Sequence, residues 1–135
     1  MKYEDIKLNQ IYEVKRKITP HMVETFAEIT GDKNPVHLDE EFASKTIFKK
    51  RIAHGILSVG LISAVLGMEF PGPGTIYLKQ DSKFLKPIYL DEEITIRIIV
   101  KEKIEEKSRL VLTTQIIKED GTLALDGEAL VLFKK

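Results

Sequence analysis

Residues 55–66 read GILSVGLISAVL and form the one fully apolar helical run in a chain of 135 residues. A helix built from this run is hydrophobic on nearly every side, and such a helix is a buried one. The sequence PGPG at residues 71–74 breaks the apolar pattern soon afterwards. The run therefore predicts a central helix that the other elements of the chain must cover.

The residue composition of the chain changes after this break. Four runs are rich in β-branched and aliphatic side chains: residues 75–84, 93–101, 110–117 and 123–133. Polar residues such as Thr95 and Thr113 alternate with the apolar ones, which is typical of a sheet with one dry and one wet face. Residues 118–121 suit a hairpin turn. We expect an α+β fold in one domain, residues 1–135, with a curved antiparallel sheet around the apolar helix.

The region before the apolar run predicts shorter elements. Residues 11–14 suit a strand, and Thr19-Pro20 suits a helix start, with Thr as N-cap and Pro in the first turn. Gly31 should end that helix. Residues 32–51 are expected to be mostly irregular, because Asn34-Pro35 prevents a continuous helix there. A short helical turn is expected near residues 39–43.

Composition and charge exclude several classes of function. Lys and Arg total 21, as do Asp and Glu, so no net field attracts nucleic acid or an anionic membrane. The absence of cysteine excludes disulfides and thiolate chemistry. Because residues 1–5 read MKYED and lack the apolar core of a signal peptide, none is expected. No apolar run in the sequence approaches the roughly 20 residues that span a bilayer. We expect a soluble cytoplasmic protein.

The candidate chemistry lies in residues 26–37, FAEITGDKNPVH. Asp32 and His37 are five residues apart across the Asn34-Pro35 bend, and a bend of this kind can bring both side chains together. A carboxylate and an imidazole in one pocket can orient a water molecule and exchange its protons. The alternative is that Asp32 only caps the turn and that His37 only packs.

Residues 52–55, IAHG, lead directly into the apolar helix. Free N–H groups at a helix N-terminus carry partial positive charge, and Gly55 would allow a ligand carbonyl to approach closely. Gly55 is therefore a candidate oxyanion donor, although a glycine that only permits a tight turn would look the same. His54 could contact substrate, or it could only pack or cap.

These motifs resemble the hydratase 2 family, also known as MaoC-like dehydratases. Its signature has an aromatic residue, then Gly-Asp-x-Asn-Pro-aliphatic-His, then a small residue six positions later. Each element is present here, from Phe26 through residues 31–37 to Ala43. The likeness continues at residues 52–55, Ser63, 71–78 and 127–129. It is strongest to the short (R)-specific enoyl-CoA hydratases that supply polyhydroxyalkanoate synthesis.

The resemblance implies a hot dog fold, a homodimer that joins two sheets edge to edge, and reversible syn addition of water to trans-2-enoyl-CoA, giving (R)-3-hydroxyacyl-CoA. Asp32 and His37 match the catalytic pair, and Gly55 matches the residue whose N–H binds the thioester oxygen. Further residues assigned to oxyanion or substrate binding are Asn34, His54 and Ser63.

The remaining expectations concern the acyl pocket and cofactors. Leu66 and Leu130 would shape the acyl pocket by analogy with the family, although both could be ordinary core residues. No metal or redox cofactor is expected, because the reaction does not need one. Asp32, His37 and His54 could offer ligands to a metal, but their spacing matches no recognised metal motif.

Other functions use the same fold. The same residues could dehydrate 3-hydroxyacyl groups carried by acyl carrier protein, or a specialised hydroxyacyl-CoA. A hot dog thioesterase and a non-catalytic acyl-CoA-binding module are further alternatives. The complete Asp-x-Asn-Pro-x-His match argues against the thioesterase.

Overall fold

The computed structural model describes residues 1–134. Its helices and strands, in chain order within each class, are α1 (Pro20–Thr30), α2 (Pro35–Leu38), α3 (Glu40–Ser44), α4 (Gly55–Met68), β1 (Ile11–Lys17), β2 (Thr75–Phe84), β3 (Glu93–Ile104), β4 (Arg109–Ile117) and β5 (Leu123–Phe133). Two short 3-10 turns lie at Tyr3–Asp5 and Glu105–Lys107.

The five strands form one antiparallel sheet in the order β1-β3-β4-β5-β2. Alternate residues along β3 and β4 are buried, so one face of the sheet is dry. Three buried residues of α4, Ile62, Val65 and Leu66, belong to the same core as that face. The sheet therefore covers one side of the apolar helix, and the predicted hot dog arrangement is confirmed. The expectation of a helix buried on nearly every side is not met in the single chain, because Ile56 and Met68 of α4 are 62% and 73% exposed.

The two main helices begin where the sequence indicates. The Thr19 hydroxyl accepts a hydrogen bond of 3.2 Å from the Met22 N–H, and Gly31 ends α1 with a left-handed φ of 80°. Helix α4 begins at Gly55 and ends at Met68, two residues beyond the predicted apolar run. With 14 residues α4 is too short to cross a bilayer, and the part of the chain that the structure describes holds no helix long and apolar enough to do so.

The segment after α1 differs from the sequence prediction. Residues 35–38 form the single helical turn α2, whereas an irregular stretch was expected there. Proline fits the first position of a helix, because the N–H it lacks would have no intrahelical partner. The side-chain oxygen of Asn34 caps this turn by accepting from the Val36 N–H at 3.2 Å. Pro35 therefore starts a helix as well as ending the preceding segment.

Strand β2 is an edge of the sheet and carries exposed apolar side chains. Ile76 and Leu78 are 54% and 43% exposed, and the pairing of β2 with β5 is irregular between Tyr77 and Lys79. Edge strands usually avoid such side chains because their free N–H and C=O groups invite pairing with another chain. This edge is therefore a candidate interface.

Candidate active site

His37 lies on α2 and is held by one backbone and one side-chain group of the segment that joins α3 to α4. Its Nδ1 is 2.7 Å from the carbonyl oxygen of Ile52, and its own carbonyl accepts a hydrogen bond of 2.7 Å from the Arg51 Nε. Because a carbonyl oxygen can only accept, the hydrogen of the neutral imidazole must be on Nδ1. The Nε2 lone pair is consequently free to accept a proton.

His54 packs against His37 and is almost fully buried, with 2% of its surface exposed. The two rings stack with centroids 3.9 Å apart, and Phe26 covers His54 with a centroid distance of 4.7 Å. His54 Nε2 lies 3.0 Å from the backbone oxygen of Asp32, so Nε2 carries a hydrogen. The two histidines are thus held in opposite tautomers.

The Asp32 side chain is exposed and lies close to both imidazoles. Ligand atoms of Asp32, His37 and His54 all lie within 4.8 Å of one another. The carboxylate also accepts a long hydrogen bond of 3.4 Å from the Asn34 N–H, so it caps the turn as well. The predicted convergence of the acid and the base is therefore present, and the group is close enough to share one water molecule or one cation.

Burial lowers the pKa of His37 below its usual range, and the neighbouring His54 lowers it further. The hydrogen bond to the Ile52 carbonyl and the charge of Asp32 oppose this shift without reversing it. His37 is therefore neutral at neutral pH, the form in which Nε2 can accept a proton.

Gly55 and His54 line a cavity of about 490 Å³ between the start of α4 and the ends of β2 and β5. The wall is mainly apolar, with Phe48, Ile52, Ile56, Phe84, Leu85, Pro87, Ile88, Ala124 and Leu125 among its residues. As the first residue of α4, Gly55 has an N–H without an intrahelical partner. The start of the helix therefore offers a hydrogen-bond donor beside an apolar cavity.

Of the eight residues that the sequence assigned to the site, only His54 and Gly55 line this cavity. Asp32 and His37 lie outside its lining, in contact with His54. The other four lie elsewhere. Asn34 is exposed and caps α2. Ser63 follows Gly55 by eight positions on α4, about 12 Å along the helix. Leu66 is 1% exposed and belongs to the core. Leu130 is paired with Val111 and alternates with the buried Ala129 and Val131, so it lies on the opposite face of the sheet.

Three further residues near the site were not predicted from the sequence. The Ser58 hydroxyl is buried beside the cavity and donates a hydrogen bond of 2.5 Å to the Gly55 carbonyl. Arg51 bonds the carbonyl of His37, and Phe84 lies against Gly55. Ser58 could have been found from its position one helical turn after Gly55. The other two depend on long-range contacts.

The chain matches a known family model and is similar in sequence to named enzymes. A family model described as MaoC like domain matches residues 4–121. A 3-hydroxybutyryl-CoA dehydratase of Methylorubrum extorquens is 43% identical to this chain and aligns with 98% of it and 84% of the relative. An (R)-specific enoyl-CoA hydratase of Rhodospirillum rubrum is 39% identical, over 96% of this chain and 90% of the relative.

A solved structure has the same fold. The unliganded R-hydratase PhaJ1 from Pseudomonas aeruginosa superimposes with a TM-score of 0.94 at 39% sequence identity. The match covers 99% of this chain and 86% of that one. The sheet and the central helix of the chain are therefore those of a MaoC-like hydratase.

The opposite tautomers of the two stacked histidines can be tested by NMR. In ¹⁵N-labelled protein near pH 7.5, we expect the His37 hydrogen on Nδ1 and the His54 hydrogen on Nε2, because each bonds a backbone carbonyl. Long-range ¹H–¹⁵N correlations distinguish the two forms, and His37→Gln and His54→Gln assign the signals. A His37 ring with its hydrogen on Nε2 would contradict this geometry.

Proposed function

Because the chain belongs to the MaoC-like domain family, we propose that it is an (R)-specific enoyl-CoA hydratase, a hydro-lyase that adds water reversibly to trans-2-enoyl-CoA. The observation that carries this proposal is that a carboxylate oxygen of Asp32 lies within 4.8 Å of a ring nitrogen of His37, whose Nδ1 is bonded to the Ile52 carbonyl so that Nε2 is left to accept a proton. The likeness to enzymes named (R)-specific enoyl-CoA hydratase and 3-hydroxybutyryl-CoA dehydratase supports it, since the two names describe opposite directions of one kind of reaction.

In the proposed mechanism, Asp32 and His37 hold the attacking water between them. The carboxylate accepts one hydrogen of the water and His37 Nε2 accepts the other, which leaves an oxygen lone pair to attack carbon 3. His37 takes the proton as the carbon–oxygen bond forms, and the negative charge of Asp32 stabilises the resulting imidazolium. Return of a proton from His37 to carbon 2 completes the addition and restores the neutral imidazole.

Attack at carbon 3 moves negative charge onto the thioester oxygen, which needs a hydrogen-bond donor. We assign this role to the Gly55 N–H, with support from the positive end of the α4 dipole. The apolar cavity beside Gly55 strengthens such an interaction by excluding water. His54 positions the site by bonding the Asp32 carbonyl and by packing on His37.

The proposed chemistry needs no metal or redox cofactor, because the thioester already makes carbon 3 electrophilic. Hydration and dehydration share one transition state, so metabolite levels set the direction in the cell. A cytoplasmic location is part of the proposal, since CoA thioesters are made and consumed inside cells.

Substitution of the catalytic pair tests this function. We expect Asp32→Asn and His37→Gln each to lower kcat for hydration of crotonyl-CoA by about 10² to 10⁴, the usual contribution of a general acid or base. For the wild type, kcat/KM should fall with acidity only below about pH 6.5, because burial lowers the pKa of His37 and protonation removes the base. Loss of absorbance of the conjugated thioester measures the rate.

His21→Gln is the matched control for these substitutions, because His21 is exposed on α1 and lies outside the group formed by Asp32, His37 and His54. Its rates should equal those of the wild type. Near-normal hydration by either catalytic variant would refute the assignment. A higher kcat/KM for enoyl groups on acyl carrier protein than on CoA would favour a carrier-protein dehydratase instead.

We also propose that two copies of the chain form a homodimer through the β2 edges. The exposed Ile76 and Leu78 support this, since an apolar sheet edge is stabilised by pairing with another strand. The outer side of α4 adds the 62% exposed Ile56 and the exposed small residues Gly60 and Ala64. A joined sheet would remove these side chains from water.

The double substitution Ile76→Lys with Leu78→Lys should convert the dimer to a monomer, because it would bury charges at the proposed interface. Sedimentation equilibrium should give twice the chain mass of 15.4 kDa for the wild type and for Ile47→Lys, a control at an 87% exposed residue away from β2. A monomeric wild type, or an edge variant that stays dimeric, would contradict the proposed interface.

A further inference from the structure

Phe84, the last residue of β2, lies directly against Gly55. A Cβ atom added to Gly55 would be only 2.8 Å from both Cδ1 and Cε1 of the Phe84 ring. Real carbon atoms do not approach this closely, so no side chain fits at residue 55 while the ring keeps its place. The ring and the first residue of α4 therefore form two touching walls of the cavity.

The backbone behind Phe84 is held in place. Phe84 pairs with Leu125 in the sheet, and the next N–H, that of Leu85, donates a hydrogen bond of 2.8 Å to the Ala124 carbonyl. In the single chain the ring itself is 53% exposed, and it faces the cavity as well as Gly55. A side chain that is anchored at its base and open on one side can contact a ligand in that space.

The proposed position of the thioester brings its acyl carbons beside this ring. If the thioester oxygen accepts from the Gly55 N–H, carbon 1 lies one bond from that oxygen and carbon 2 one bond further. A straight chain has only hydrogen at carbon 2, whereas a 2-methyl group needs additional room there. Because the Phe84 ring touches Gly55, it fills the space on one side of the residue that would bind the thioester oxygen.

We propose that Phe84 contacts the substrate and makes the site selective for acyl groups without a substituent on carbon 2. This inference rests on the proposed hydratase function and on Gly55 as the donor to the thioester oxygen. The flat ring closes one side of the space next to the thioester, so a branched acyl group must displace the ring or lose its hydrogen bond to Gly55. One methyl group rejected in this way changes kcat/KM by about 10- to 200-fold.

The test compares crotonyl-CoA with 2-methylcrotonyl-CoA as substrates. The wild type should prefer crotonyl-CoA, and Phe84→Ala should lower the ratio of the two kcat/KM values by about tenfold or more. Phe84→Leu keeps an apolar side chain and should give an intermediate ratio. Phe42→Ala is the matched control, because Phe42 is also half exposed, at 47%, but does not line the cavity. Circular dichroism and thermal unfolding monitor the fold of each variant.

A pair of substitutions tests the contact itself. Gly55→Ala should slow crotonyl-CoA hydration, because its methyl group collides with the ring. The double variant Gly55→Ala with Phe84→Ala should recover part of this loss, since the ring that causes the collision is gone. Coupling of this kind is expected only for residues in contact.

The possible outcomes are distinct. A lower selectivity ratio in Phe84→Ala, with the ratio of Phe42→Ala unchanged, supports the role of Phe84. An unchanged ratio in folded Phe84→Ala and Phe84→Leu, while the wild type hydrates crotonyl-CoA normally, refutes that role and leaves the hydratase function intact. Failure of the wild type to hydrate either substrate refutes the proposed function, and this inference with it.

Discussion

The apolar helix α4 constrains the whole molecule, because a helix with no polar side must be covered before the chain can be stable in water. The sheet covers one side of α4 through the buried faces of β3, β4 and β5, while the side with Ile56, Gly60 and Ala64 stays exposed in the single chain. The packing of this helix also determines where its first residue lies, at the edge of a cavity and next to the segment that joins α3 to α4. Packing thus places a backbone donor, the Gly55 N–H, beside an apolar space.

Two backbone carbonyls organise the polar side of the site. The Ile52 carbonyl accepts a hydrogen bond from Nδ1 of His37, and the Asp32 carbonyl accepts one from Nε2 of His54. The two imidazoles are therefore held in opposite tautomers. A side-chain partner could change its protonation state, whereas a carbonyl can only accept. The tautomer of His37, the proposed base, is therefore fixed by a backbone group that does not titrate. Burial then keeps His37 neutral, in agreement with its proposed role.

Features that depend only on neighbouring residues could be predicted from the sequence. The strand pattern, the start of α4 and the motif that joins Asp32 to His37 each occupy a short stretch, and the structure has them as predicted. The Asn34-Pro35 pair was misjudged, because proline both ends one segment and suits the start of the next.

Features that depend on distant parts of the chain could not be predicted. The tautomer of His37 depends on a carbonyl 15 residues away. The contact between Gly55 and Phe84 requires β2 to end beside α4. Leu130 was assigned to the acyl pocket, but a shift of one residue in strand register reverses the face of a side chain, and β5 places Leu130 away from the core.

The central claim is that one water, held by Asp32 and His37, adds to one face of an enoyl thioester. Hydration of crotonyl-CoA in D₂O, followed by chiral analysis and NMR of the product, tests this claim most directly. The account predicts a single product, (R)-3-hydroxybutyryl-CoA, with deuterium on carbon 2 added to the same face as the hydroxyl group. An (S) or racemic product, anti addition, or no hydration would contradict it.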